Sequence, residues 1–164
     1  MIPRKYLVLA AAVGLLVSLD QFTKFIVARR MRLGDTLAVI EGFFNITLVR
    51  NTGIAFSLFS NAKEGWQEWF LFLVPGLTLA ALFFFFYRLR DNQPVSVYGL
   101  ALIISGAFGN ILDRIRLGYV VDFFDFHWGY KAHFPAFNVA DAAIAVGVGL
   151  TCYTLFTEKE GDGP

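Results

Sequence analysis

The sequence has little charge and almost no sulfur chemistry. Only 16% of its 164 residues are charged while 57% are hydrophobic, and a soluble domain of this length needs far more polar surface to cover its core. A single cysteine, Cys152, excludes an internal disulfide framework and a cysteine-rich metal site; its apolar neighbours mark it as small hydrophobic packing. The net charge of +1 offers no footprint for nucleic acid. The two histidines, His127 and His133, lack a third ligand at metal-site spacing, and the His-Glu-x-x-His of a zinc protease is missing. No metal or cofactor is therefore expected. No internal repeat is present, and with it goes the signature of inverted transporter halves.

What the chain has in quantity is apolar length. A hydrocarbon core of about 30 Å takes roughly 20 helical residues, and four stretches qualify, at about 6–28, 66–87, 95–113 and 137–156. Trp66, Trp69, Tyr87 and Tyr98 lie near their ends, where amphipathic rings favour the headgroup level. Pro75-Gly76 is expected to bend the second span, and neighbouring helices can re-satisfy the freed backbone groups. The first span resembles a signal peptide at its start, but the apolar pattern resumes after Asp20-Gln21 and Arg29-Arg30 follows without a small-x-small site. An uncleaved span is expected.

The fold class read from this pattern is a membrane all-α, four-transmembrane-helix bundle forming one domain over 1–164. A small β-element is expected at about 32–60, because Phe44–Val49 alternates, Asn51-Thr52-Gly53 is turn-like, and 54–59 is again β-prone. The segment at about 115–136, rich in Phe, Trp and Tyr, reads as an aromatic loop lying in the interface plane. Both large connections fall on one side and both termini on the other. The basic residues favour the loop side, with Arg29, Arg30, Arg32, Arg50, Lys63, Arg114, Arg116 and Lys131 against Arg4, Lys5, Arg88, Arg90 and Lys159. A naive count would put the loops in the cytoplasm, although a long first loop weakens that rule; orientation stays open on charge alone.

Ionisable residues near membrane depth cost about 2.5–3.5 kcal/mol at a helix centre on insertion scales and are functional by default. Asp20 and Lys24 share one helical face at i, i+4, either as a local ion pair or as part of a shared polar centre. Gly106, Asn110 and Arg114 repeat at four-residue spacing, where Gly106 permits close helix approach and Asn110 can bond across helices. Asp122 stands inside an apolar aromatic run. Asp141 lies three residues after Asn138 and, taken alone, reads as the helix-capping partner of an Asn138 N-cap.

Asp122 and Asp141 flank one segment and so belong to one membrane face. Paired carboxylates are the minimum equipment for amide hydrolysis by activated water: one takes a proton from water while its protonated partner polarises the carbonyl. Ser105 lies deep in the third span, far along the chain from both histidines, and reads as packing. A small transporter and a non-catalytic membrane scaffold remain as alternatives.

Five blocks together resemble the bacterial lipoprotein signal peptidases, the type II signal peptidases of aspartic peptidase family A8. They are Asp20-Gln-Phe-Thr-Lys24, Asn51-Thr-Gly-Ile-Ala-Phe56, Gly109-Asn110-Ile-Leu-Asp113-Arg114, Val121-Asp122-Phe123 and Phe137-Asn138-Val-Ala-Asp141, in the family's order over nearly the whole chain. The resemblance implies an aspartic endopeptidase that removes signal peptides from diacylglyceryl-modified prolipoproteins, cutting N-terminal to the lipidated cysteine. It implies Asp122 and Asp141 as the catalytic pair, and Asp20, Lys24, Asn51, Gly53, Gly106, Asn110, Arg114, Asn138 and Ala140 as residues shaping the site. It further implies a monomer among inner-membrane lipids, with cytoplasmic termini, a periplasm-facing site, and inhibition by globomycin-type cyclic peptides. That orientation opposes the naive charge count.

Overall fold

The computed structural model describes residues 2–53, 66–128 and 132–157. Helix α1 spans Arg4–Arg30, and the hairpin strands β1 and β2 span Thr36–Ile40 and Phe44–Asn51. Helices α2 (Trp66–Arg88) and α3 (Pro94–Leu117) follow, then strands β3 (Val120–Trp128) and β4 (Ala132–His133), and helix α4 (Val139–Thr157). At about 1.5 Å per residue, each helix is close to or beyond the thickness of a hydrocarbon core. Helices α1 and α3 are long and apolar enough to cross a membrane by length and composition.

Helix α3 occupies the middle, packed along α4, α1 and α2. Its buried face forms an apolar cluster of Val97, Leu100, Ala101 and Ile104 with Phe86 of α2. Close approach to α4 depends on Gly106, where an added Cβ would overlap the Ala140 carbonyl oxygen and lie 2.7 Å from Ile144. A backbone carbonyl in a helix cannot swing aside, so Gly106→Ala is expected to push the start of α4 away. Overpacking of this kind costs about 1–3 kcal/mol, to be read as a lowered unfolding midpoint in detergent together with reduced activity.

Gly118 ends α3 with φ of 79°, donating its N–H to the Arg114 carbonyl at 2.9 Å. This left-handed cap suits glycine and turns the chain straight into β3. The segment expected as an interfacial aromatic loop at 115–136 is corrected here: α3 continues to Leu117, and 120–128 is a strand in a four-stranded antiparallel sheet of order β1-β2-β3-β4. Its first four residues are all buried, so the strand lacks the alternation that would reveal it. Phe126 stacks on Phe44 of β2 at 4.6 Å and on Phe137, which precedes α4, at 5.8 Å. The all-α description is thus refined to a helical bundle carrying a sheet. The expected β-element is present as β1 and β2; its last part, 54–59, lies outside the described residues.

Candidate active site

Asp20 and Lys24 project from one face of α1, and Lys24 Nζ meets Asp20 Oδ2 at 2.8 Å, Asp113 Oδ2 at 2.9 Å and Asn110 Oδ1 at 3.1 Å. An ammonium has three donors, and all three are used. Asp20, Lys24 and Asp113 are 1%, 3% and 2% exposed. The expected local pair is therefore also the nucleus of a shared polar centre linking α1 to α3. Asp20 Oδ1 accepts the Ala140 N–H at 3.0 Å, which ties the same centre to the first turn of α4. Gly109 leaves room for this, since a Cβ there would stand 2.9 Å from Asp20 Oδ2.

Asn110 relays the centre outward. Its Oδ1 accepts from Lys24, and its Nδ2 donates to Asp141 Oδ1 at 2.7 Å. Asp141 and Asn138 form the reciprocal capping arrangement expected from their spacing. The Asp141 N–H donates to Asn138 Oδ1 at 2.9 Å, and the Asn138 N–H donates to Asp141 Oδ2 at 3.2 Å.

Asp122 arrives from the sheet. It lies opposite Val49 in the β2–β3 ladder, beside a register shift between Ile46 and Val49. Its Oδ2 accepts from Asn51 Nδ2 at 2.9 Å, and its Oδ1 accepts from Asn138 Nδ2 at 2.7 Å. Asn51 is fixed in turn by a turn of its own, with Oδ1 accepting the Gly53 N–H at 2.9 Å and Gly53 at φ of 91°. The two acids meet because the chain doubles back after β3. Phe137 pairs with Phe124 through mutual N–H···O bonds of 2.8 and 3.0 Å, which sets Asn138 and the start of α4 against Asp122.

Burial pushes the Asp122 carboxyl up to about 6. The hydrogen bonds from Asn51 and Asn138 and the Lys24 charge oppose this, and the neighbouring Asp141 charge adds to it. Arg114, at the end of α3, donates from Nη1 to the Asn110 carbonyl at 3.4 Å, while its buried Nε–H has no hydrogen-bond partner among the described residues.

All eleven residues expected at the site fall in this region except Gly106, which acts one turn away by admitting α4. The structure adds Asp113, which accepts from Lys24, from Gln21 Nε2 at 2.8 Å and from the Val121 N–H at 3.2 Å. It also adds Gln21, which joins Asp113 to Arg116. The signal for both was present, as Asp113 is three residues from Asn110 and Gln21 adjoins Asp20. The histidines stand elsewhere, as register partners between β3 and β4, and Ser105 donates to its own helix at Ala101 O, 2.6 Å.

The comparisons with known proteins agree with one another. Residues 12–157 match the family described as Signal peptidase (SPase) II. The lipoprotein signal peptidase of Geobacter sulfurreducens is 44% identical over 94% of this chain and 94% of its own length. That of Pseudomonas putida is 39% identical over 92% and 87%. A solved structure of a bacterial membrane enzyme superposes with a TM-score of 0.80 at 34% identity, covering 94% of this chain and 91% of its own. A second, of the same description, gives 0.77. With the family matched along most of its length by sequence and by fold, the chain belongs to the signal peptidase II family.

Proposed function

We propose that the protein cleaves signal peptides from diacylglyceryl-modified prolipoproteins as an aspartic endopeptidase, with Asp122 and Asp141 as its catalytic pair. The observation that carries this reading is that one residue, Asn138, holds both carboxylates, through Nδ2 to Asp122 and through its N–H to Asp141. Asp141, at a helix N-terminus that favours negative charge, takes a proton from the attacking water. Asp122 gives its proton to the scissile carbonyl oxygen as the water oxygen bonds to the carbon. The gem-diol collapses when Asp141 passes the proton to the leaving nitrogen and one hydroxyl proton returns to Asp122. The products are a signal-peptide carboxylate and the free amine of the lipidated cysteine.

Asn51, Asn110 and Asn138 orient the acids in this reading, and the Nε–H of Arg114 is the donor left for a substrate carbonyl. The four helices cross the inner membrane with cytoplasmic termini and the site on the periplasmic side. The enzyme works as a monomer among lipids, and globomycin-type cyclic peptides block it by occupying the acids. Purified protein is expected to convert diacylglyceryl-prolipoprotein to a product whose mass places the cut before the cysteine. An intact precursor after prolonged incubation with folded enzyme would overturn the assignment.

The pH profile follows from Asp122. Acting as the acid, it must hold its proton, which leaves above about pH 6, so kcat/KM is expected to fall about tenfold per unit beyond that point. Asn51 donates to the ionised carboxylate and so favours proton loss. Asn51→Ala is therefore expected to move the alkaline limb to higher pH while lowering the maximum about 10- to 100-fold, as losses of orienting groups do. An unmoved limb would show that Asp122 is not the group titrating.

A further inference from the structure

Strand β2 delivers Asn51 to Asp122 through a break in its pairing. Between the Ile46–Phe124 and Val49–Asp122 pairs, β2 carries Thr47 and Leu48 where β3 carries Phe123 alone. Such an extra residue is a β-bulge, which re-aims the side chains that follow it. In an unbroken ladder Leu48 would stand opposite Asp122, and Val49 and Asn51 would turn to the other face of the sheet. With the bulge, Thr47 and Leu48 are both buried, and Val49 and Asn51 share the face of Asp122. Asn51 uses this placement to donate to Asp122 Oδ2 at 2.9 Å. The peptidase site assigns nothing to Val49.

Core packing does not account for Val49 either. It is 38% exposed, while Leu48 before it is buried. Directly opposed residues of an antiparallel ladder hold their Cβ atoms about 5 Å apart on one face, so Val49 stands immediately beside Asp122. Asn51 and Asn138 flank the Asp122 carboxylate as hydrogen-bond donors, and Val49 adds an apolar wall. Its branched side chain is stiff at χ1, and the wall does not yield by rotation. A β-branched residue also suits a strand, but that role gives no dependence on the side chain of a substrate.

We infer that Val49 is a specificity-determining residue, the wall that limits the size of the substrate residue preceding the cut. The inference deepens the peptidase reading and rests on it. In that reading Asp122 gives its proton to the scissile carbonyl oxygen across a hydrogen bond of about 2.7 Å. The carbonyl belongs to the residue before the cysteine. That residue's side chain branches from the carbon next to the carbonyl, and so it comes up against the exposed neighbour of Asp122 on the sheet.

The test is cleavage of diacylglyceryl-prolipoproteins that differ only in carrying Gly, Ala or Val before the cysteine, with kcat/KM measured for each. The parent is expected to prefer Ala over Val. Val49→Ala is expected to narrow that preference about tenfold or more, the scale on which small changes of bulk in an apolar pocket are discriminated. Val49→Phe is expected to lower Ala relative to Gly by a similar factor. Val39→Ala, the same truncation at an exposed position of β1, is expected to leave all ratios as in the parent. Each ratio is taken on one preparation, so a loss of folded protein cancels from it. Ratios unmoved by both Val49 variants, or moved equally by Val39→Ala, would overturn the inference while the parent's cleavage upholds the peptidase reading. A folded parent that cuts none of the three substrates would instead overturn that reading, and this inference with it.

Discussion

Asp122→Asn and Asp141→Asn are each expected to lower kcat/KM for prolipoprotein cleavage by about 10³-fold or more while leaving a folded protein. Each carboxylate has one chemical task that an amide cannot perform, Asp122 donating a proton and Asp141 accepting one, and a positioned acid or base alone contributes about 10²–10⁴-fold. Because the two act as a unit, the double variant is expected to be little worse than either single one. The structural loss is smaller. Asp122 accepts from Asn51 and Asn138, and Asp141 from Asn110 and the Asn138 N–H. An amide keeps one acceptor of the two, so one donor is orphaned at a cost of about 1–3 kcal/mol. Above about pH 6, where Asp122 is ionised, the change also removes a charge from a residue only 1% exposed, which offsets part of this. Cleavage product and unfolding midpoint measured on the same preparations separate the two effects. Turnover within tenfold of the parent by either folded variant would sink the dyad and favour a scaffold in which the aspartates serve as caps.

The helices were legible in the sequence because a long apolar run has few alternatives, and their observed ends differ by a few residues where the polar turns begin. The Asn138–Asp141 cap was legible for the same reason: it is local, set by three-residue spacing. Strand β3 was not. Val120, Val121, Asp122 and Phe123 are all buried, so no polar face alternates with an apolar one, and the aromatic residues beyond them read equally as a loop on a membrane. Its identity depends on pairing with β2, some 70 residues earlier, which no window of sequence contains. The polar centre was half legible. Spacing put Asp20 and Lys24 together, but nothing on α1 indicates that Asp113 of α3 completes the coordination of Lys24. Lys5 was invisible: it bonds the carbonyls of Tyr87, in the last turn of α2, and Leu89, just past it, at 2.8 and 2.6 Å, a contact made wholly by tertiary packing.

Lys24→Met is expected to be the most damaging single change outside the catalytic pair. The side chain is isosteric enough to fill the space, so the effect isolates the charge. Without the ammonium, Asp20 and Asp113 remain as two carboxylates, 1% and 2% exposed, with no cation between them, and Asn110 Oδ1 loses one of its two donors. Removing one partner of a buried ion pair costs about 3–5 kcal/mol, a large share of the 5–15 kcal/mol that holds a typical domain together. The unfolding midpoint in detergent should fall sharply. Lys24→Met/Asp113→Asn should recover part of the loss, because removing a carboxylate with its cation leaves less unpaired charge than removing the cation alone. Activity should drop by more than the unfolded fraction explains: Asn110, no longer held by Lys24, can turn its amide away from Asp141. A Lys24→Met protein as stable as its parent would mean that the ion-pair centre does not hold α1, α3 and α4 together.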